Sequence, residues 1–306
     1  MPKKGIEEIR ERMLQSAKAG ITSAYKSEEY ALIQAVNAYM ETDKSYNLAY
    51  ERLSEWYGIY YPEIRISSPE SLAKLAIAMS NNGADAGSIE RALGNAAKAE
   101  EVKKKAESTI GRKMEADEAT AVTGFANQVL STAKALGELD LYINGAAKRV
   151  MPNTTYLTDH MIAAELLSRA GSMERLATMP AGTVQLLGAE KALFKHIKFG
   201  SRPPKYGILF KLPEVTNAQR EIKGRIARAY ATKICIALKA DYFSKNFIAE
   251  GLKKSLSESL KRIKEKPIKP KEEMRRDFDR GYQGKMQGRR GAGRGRGGWK
   301  QGYRKR

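Results

Sequence analysis

A short segment between Gln185 and Leu209 carries cations at a spacing suited to binding a polyanion. Lys191, Lys195 and Lys198 recur at intervals of three and four, so a helix would present all three on one face. Phosphates are the natural partner of such a face, because each neutralised phosphate releases a counterion. The basic residues of this segment are Lys191, Lys195, His196, Lys198, Arg202 and Lys205, and Glu190 is the one acidic residue among them.

Other residues near this segment have more than one interpretation. Phe194 either belongs to a core or stacks on the open end of an RNA helix, since unpaired RNA bases stack on aromatic rings. His196 either contacts nucleic acid or is a partly exposed helix residue. A second basic group flanks the same site and consists of Lys223, Arg225 and Arg228.

The sequence gives no sign of an active site. It contains no phosphate-binding loop of the GxxxxGK[ST] type. The chain has two histidines, His160 and His196, and one cysteine, Cys235, so zinc-ligand spacing and internal disulfides are excluded. His160 lies in an apolar helical stretch and is interpreted as a packed residue. We therefore expect no catalytic residue, no metal and no cofactor.

The charge of the chain identifies its class of partner. Its 306 residues have a formal charge of +20, which favours nucleic acid first and an anionic membrane second. No apolar run approaches the roughly 20 residues that span a bilayer, and the N-terminus lacks the apolar centre of a signal peptide. Residues 261–306 hold 18 Lys or Arg against 5 Asp or Glu, a net +13. This Gly- and Arg-rich tail is expected to be disordered.

Helical patterns dominate the rest of the chain and predict an all-α fold. From 118 to 150, apolar residues repeat every seven positions in two rows, the pattern of a coiled-coil seam. Pairing with an Ala-rich helix in 88–110 would form an antiparallel hairpin, with ordinary core-facing helices as the alternative. The predicted dimerisation seam consists of Val122, Phe125, Val129, Leu136, Leu139 and Ile143.

One stretch resembles a known family signature. The sequence PAGTVQLLGAEKALFKHIKFGSRPPKYGILF is similar to the signature of the Nop domain, including its Gly-Ala-Glu-Lys and Ala-Leu-Phe-basic elements. The stretches 33–64 and 224–244 resemble the helices that precede the coiled coil and follow the signature in that family. The resemblance covers about residues 25–260, and archaeal box C/D members are the nearest pattern. It places Gln185 and Glu190 with the basic residues in an RNA interface.

The resemblance implies an architecture and a set of partners. Residues 1–66 would be helices leading into the coiled coil, 67–150 the hairpin, 151–262 the Nop domain and 263–306 the tail. The Nop domain grips a kink-turn of box C/D guide RNA already bound by a small ribosomal-protein-like subunit. The coiled coil pairs two copies, and fibrillarin, docked on an N-terminal domain, performs RNA 2′-O-methylation. Such a protein is cytoplasmic in an archaeal cell and nucleolar in a eukaryote.

The N-terminal part departs from the archaeal pattern. About 30 residues precede the first matching helix, where archaeal members carry a separate domain of roughly a hundred, a size within the ordinary domain range. Direct docking of fibrillarin is therefore in question, and the chain is either a shortened piece or a natural reduced form. The alternatives are a spliceosome-like kink-turn binder acting as one copy, a nucleic-acid enzyme, and a membrane-surface coiled coil.

Overall fold

The computed structural model describes residues 2–265 except 26 and 84, and the described chain is all-α, as the helical patterns predicted. A 3₁₀ turn at Ile208–Lys211 and a π-helical turn at Ala240–Ser244 interrupt the helices. The helices are α1 (Pro2–Tyr25), α2 (Glu28–Tyr57), α3 (Pro69–Asn82), α4 (Ala86–Leu93), α5 (Ala96–Glu107), α6 (Ala116–Val150), α7 (Pro152–Leu157), α8 (His160–Ala170), α9 (Met173–Thr178), α10 (Ala181–Leu186), α11 (Glu190–Phe199), α12 (Pro213–Thr216), α13 (Lys223–Lys239) and α14 (Ala249–Glu265).

Short polar side chains set many of the helix starts. The Ser68 hydroxyl accepts from the Ser71 N–H at 3.4 Å just before Pro69, and Asp159 accepts from the Met161 N–H at 3.1 Å. Each bond satisfies one of the N–H groups that a helix start leaves without an intrahelical partner. The predicted glycine stop after α8 is confirmed, because Gly171 adopts a left-handed φ of 87°.

The two longest helices, α2 and α6, lie side by side and run in opposite directions. The start of α2 packs with the end of α6, through Leu32 and Ile143, in one hydrophobic cluster. The end of α2 packs with the start of α6, through Leu53 and Val122, in another. We call these the proximal and the distal cluster. The 35 residues of α6 correspond to a rod of about 52 Å.

The prediction that the seam helix pairs with a helix in 88–110 is wrong. The long helix over 118–150 is confirmed, but α6 packs mainly against α2 and α3. The stretch 88–110 is also not one helix. It divides into α4 and α5 at Gly94, which takes a left-handed φ of 65°, and at Asn95, whose side chain caps α5 by accepting from the Lys98 N–H at 3.1 Å. This pair of end and start signals overrides the helical pattern around it.

The seam residues are buried inside one chain. In one heptad row, Val122, Val129 and Ile143 have an exposed fraction of 0%, and Leu136 is at 8%. These side chains are covered by this chain's own helices, so they are not free to pack against a second copy. Phe125 and Leu139, of the other row, are half-buried. The seven-residue period therefore marks the inward face of α6, and a dimer interface would have to use other residues.

The loops at the distal end are joined by specific contacts. Glu63 accepts the Ile110 N–H at 2.8 Å and the Thr109 hydroxyl at 2.7 Å. These hydrogen bonds, the Ile110 N–H first, lower the pKa of the Glu63 carboxyl. Gly111 lies against the Tyr60 carbonyl so closely that a Cβ would overlap it. The α2–α3 and α5–α6 connections therefore brace each other.

The proximal cluster organises the helices that follow α6. Tyr230, Ile226 and Ile234 on α13 are buried at its centre, as the helical spacing of that segment predicted. Helices α7, α9, α10, α12 and α14 pack around α13. Within residues 2–265, leaving out 26 and 84, no helix has the length and apolar character needed to cross a membrane. Apart from its first residues, the predicted tail of 263–306 lies outside the described residues.

Candidate nucleic-acid interface

The turn that leads into α11 depends on two glycines. Gly188 has a φ of 88°, the left-handed region in which glycine is favoured, and its N–H donates to Glu190 Oε1 at 2.7 Å. Gly207 lies against the Leu187 carbonyl, and a Cβ there would overlap that oxygen. The Ile208 N–H donates to the same oxygen at 2.8 Å. This close approach joins the two ends of the segment, so α11 and its following loop project as one closed unit.

Gln185 positions the basic loop from inside. Its side chain is 7% exposed, and Nε2 donates to the Lys205 carbonyl at 2.6 Å and to the Gly224 carbonyl at 3.4 Å. The resemblance placed Gln185 among the RNA contacts, and the structure corrects that assignment, because a buried amide with these partners does not face the surface. Gln185 instead connects the loop that carries Lys205 to the first turn of α13.

Replacing Gln185 by Leu should loosen the loop while keeping the side-chain size. The substitution removes both hydrogen bonds and leaves two carbonyls without that donor, which should lower the free energy of unfolding by about 1–3 kcal/mol. We expect faster tryptic cleavage after Lys205, measured by mass spectrometry, and a lower urea midpoint. Gln128→Leu, on an exposed position of α6, is the matched control. Cleavage at the rate of the unchanged chain would refute the positioning role.

Helix α11 stands on the surface with no buried residue. Lys191, Lys195 and Lys198 are all exposed and, at 100° per residue, fall within about 60° of each other around the axis, as their spacing predicted. The exposed fraction of Phe194 is 69%, so its interpretation as a core residue is wrong. Phe199 is 71% exposed, and the Lys198 ammonium lies 5.4 Å from the centroid of the Phe199 ring. Apolar rings and cations therefore share one solvent-facing helix.

Two predicted site residues also hold this unit together. Glu190, through its bond to the Gly188 N–H, closes the turn at the helix start, where a carboxylate is favoured by the helix dipole. His196 is half-buried, and its Nδ1 contacts the Ser201 carbonyl just beyond the C-terminus of α11. Both therefore have structural contacts, whatever they contact in a complex.

The remaining cations extend the surface toward α13. Arg202 and Lys205 are exposed on the loop after α11, and Lys205 Cβ packs against Gly224, where an added Cβ would lie 3.3 Å away. Lys223 is partly engaged, because its Nζ donates to the Thr216 carbonyl at 2.7 Å and lies 5.0 Å from the Phe210 ring centroid. The second basic group therefore begins next to Lys205. Of its members, Arg228 is exposed, whereas Lys223 and Arg225 are half-buried.

Sequence reasoning missed two apolar members of this surface, Ile197 and Phe199. Ile197 is 61% exposed and Phe199 is 71% exposed, on the same helix as the three lysines. The sequence held a signal for them. In this helix lysines alternate with large apolar residues, so neither face is apolar enough to pack into a core. Such exposed apolar groups are typical of a surface that meets a partner.

His160 has two carboxylate partners at the start of α8. Its Nε2 is 2.9 Å from Asp140 Oδ1 and its Nδ1 is 3.0 Å from Asp159 Oδ1, which ties the start of α8 to α6. Among the described residues, no group of three His, Cys, Asp or Glu side chains could hold a metal ion.

Fold and site define an all-α protein with a braced, basic surface built around a short helix. The Nop family model, whose description is "snoRNA binding domain, fibrillarin", matches residues 38–264. The match covers α2 from residue 38 onward, the whole of α6 and the whole of the basic surface. The chain belongs to the Nop family.

Several curated proteins are similar to this chain. An uncharacterized NOP5 family protein of Methanocaldococcus jannaschii is 32% identical over 270 residues, covering 86% of this chain and 65% of that protein. Nucleolar protein 58 of Candida albicans is 34% identical over 69% of this chain and 42% of its own length. Nucleolar protein 56 of Dictyostelium discoideum is 35% identical over 75% of this chain and 44% of its own length. The chain thus spans between about two fifths and two thirds of these relatives.

A solved structure, a crystal structure of a fibrillarin/Nop5p complex, aligns with 86% of this chain and 80% of that one. Its sequence identity is 21% and its TM-score is 0.49.

Proposed function

We propose that this protein is an RNA-binding scaffold subunit of a box C/D guide ribonucleoprotein, supporting 2′-O-methylation of rRNA or tRNA. The observation that carries the proposal is the exposed face of α11, where Lys191, Lys195 and Lys198 point to solvent from a unit closed by Gly188 and Gly207. Membership of a family described as a snoRNA binding domain supports RNA as the polyanion.

The composition of the surface favours a composite of RNA and protein as its target. Cations alone would serve for phosphates. The exposed Phe194, Ile197 and Phe199 add apolar area to the same helix. Such area gains stability only where it is covered by a base or by an apolar protein surface. We therefore propose a kink-turn RNA that already carries a small ribosomal-protein-like subunit, with Phe194 stacking at the end of the RNA helix.

A gel-shift titration tests this proposal. The chain should bind a kink-turn RNA with the small subunit at least tenfold more tightly than the same RNA alone, because only the composite covers both the cations and the rings. A duplex of equal length without the kink, with and without the small subunit, is the control for charge. Equal affinity for all of these RNAs would show that the chain binds only as a polycation.

The partners of the assembled particle follow as part of the same proposal. Fibrillarin carries out the methylation, and this chain acts without catalytic residues of its own, as one of two copies that meet through the coiled-coil part. It works in the cytoplasm of an archaeal cell or in the nucleolus of a eukaryote, the compartment that the names of the eukaryotic relatives give for those proteins.

A second candidate function is favoured by the burial of the seam. Because Val122, Val129 and Ile143 are covered within one chain, the heptad pattern no longer requires a second copy. A kink-turn RNA-binding subunit that acts as a single copy, as in the spliceosome, agrees with that observation. Light scattering at micromolar concentration separates the two: a dimer supports the paired scaffold, and a monomer supports the single-copy function.

A further inference from the structure

A second surface with exposed aromatic rings lies at the connection between α13 and α14. Phe243 is 64% exposed, Phe247 is 55% exposed, and Tyr156 on α7 is 43% exposed. The rings of Tyr156 and Phe247 meet edge to face, with centroids 5.6 Å apart. We call Tyr156, Phe243 and Phe247 the ring patch. Phe243 and Phe247 lie on the connection itself, and Tyr156 joins it through Phe247. Three large rings left exposed to solvent forgo favourable burial, so their exposure calls for a partner.

Buried polar contacts hold the ring patch in place. The Asn153 side chain is fully buried, and its Nδ2 donates to the Asn246 carbonyl and to Asp241 Oδ1, both at 2.8 Å. Its Oδ1 accepts the Ile248 N–H at 2.7 Å. Asp241 Oδ2 accepts the Thr154 hydroxyl at 2.7 Å and the Thr154 N–H at 3.0 Å. The connection is thus fixed to α7 at both ends, and the rings are presented on a rigid base.

The charges around the rings point to an anionic ligand. Lys245 lies between the two phenylalanines, is exposed, and ends the π-helical turn with a left-handed φ of 54°. Lys253 Nζ lies 4.7 Å from the Tyr156 ring centroid. In the described chain, no carboxylate pairs with Lys245 or Lys253. Residues 242–254 hold three lysines, with Lys254 the third, and one carboxylate, Glu250.

The ring patch is separate from the α11 surface. Helix α13 has Lys223 and the basic group at its start, and it leads into the ring patch at Lys239. At 1.5 Å per residue, the 16 steps between those two residues span about 24 Å. The two surfaces lie at opposite ends of one rigid helix, so a ligand seated on α11 would not by itself cover the rings.

We infer that the ring patch is a binding site for single-stranded RNA, whose bases stack on Phe243, Phe247 and Tyr156 while Lys245 and Lys253 contact phosphates. Rings with interspersed cations are the combination that binds unpaired strands without sequence preference. In a duplex the bases stack on one another, so these rings would find no open base face there. An apolar protein surface would satisfy the rings but would leave the unpaired lysines without a counter-charge. The inference does not depend on the kink-turn proposal.

The test compares two fluorescent RNAs by anisotropy with the full chain. One is a 12-nucleotide oligouridylate, and the other has the same length and charge but no bases. The unchanged chain should bind the base-bearing RNA at least tenfold more tightly. The double variant Phe243→Ala, Phe247→Ala should lose most of that preference and keep its affinity for the abasic RNA, since each stacked ring contributes about fivefold to a hundredfold.

Two further variants identify the cause of any loss. Phe243→Leu with Phe247→Leu keeps apolar area but removes the rings, so it should behave like the alanine variant. Tyr25→Ala removes a ring that is 75% exposed on α1 and should change nothing. If the unchanged chain shows no preference for bases, or if the ring variants keep it, the inference is overturned. The first of these results would indicate a protein partner for the ring patch.

Ultraviolet cross-linking of the unchanged chain to oligouridylate gives a readout that needs no substitution. Cross-linked peptides should include Phe243, Phe247 or Tyr156. Cross-links confined to residues 185–228 or to 266–306 would overturn the inference while leaving the α11 proposal intact. Conversely, failure of the kink-turn gel shift with cross-links at the rings would reject the α11 proposal alone.

Discussion

Replacing Lys191 and Lys195 by Ala should lower the slope of log affinity against log salt by about 2 when the chain binds the kink-turn composite. Both ammonium groups are on the exposed face of α11, so their loss removes two phosphate contacts and their released counterions. If the binding lines of the two proteins meet at 1 M salt, a slope difference of about 2 weakens binding about 40-fold at 0.15 M. Titrations at four salt concentrations measure both quantities.

A matched variant separates this surface from net charge. Lys44→Ala with Lys134→Ala removes the same charge from exposed positions of α2 and α6. This control should leave the slope within about half a unit of the unchanged chain. If the α11 variant and the control behave alike, the lysines of α11 contribute only to the overall positive field, and the proposed interface is wrong.

Ile143→Asp should have the largest effect on stability. Ile143 is 0% exposed on α6 and packs in the proximal cluster with Leu32 and Val36 of α2. A carboxylate among these apolar side chains would be a buried charge, and an unpaired buried charge costs several kcal/mol. Since a domain is stable by about 5–15 kcal/mol, we expect urea unfolding, followed by circular dichroism, to shift to a far lower midpoint.

Leu141→Asp is the control on the same helix. Leu141 is 73% exposed, two residues from Ile143, and its replacement should change the free energy of unfolding by no more than about 0.5 kcal/mol. Equal destabilisation by both substitutions would contradict the burial of the seam row. Leu136, 8% exposed, should resemble Ile143, whereas the half-buried Leu139 should fall between the two.

The sequence predicted the helices well because their signals are local. Helix α6 was predicted from its heptad row, Val122, Val129, Leu136 and Ile143. The end of α8 was predicted from Gly171. The identity of the partner helix is not local. A seven-residue period tells which face of α6 is buried but not which helix buries it. The helices that mainly pack on α6 are α2 and α3 rather than the Ala-rich α5.

The sequence predicted the charged residues of the site but not the hydrogen bonds that hold its loop in place. Lysines at spacings of three and four on a short helix have few places other than the surface, so Lys191 and Lys195 were found from type and position alone. Gln185 was taken for a contact because the family resemblance placed it in the RNA interface. Its partners, the carbonyls of Lys205 and Gly224, are 20 and 39 residues away, and only the folded chain brings them together.

The spacing between the two hydrophobic clusters has a consequence for how this protein can vary. From 37 to 52, every side chain of α2 is at least partly exposed, so Val36 and Leu53 are separated by about 26 Å of helix without a fully buried contact. Substitutions that far apart are expected to act additively. The distal end can therefore change its sequence, or open locally, with little effect on the packing beneath the basic surface. A substitution at one end should therefore be tolerated or rejected largely without regard to the sequence at the other end.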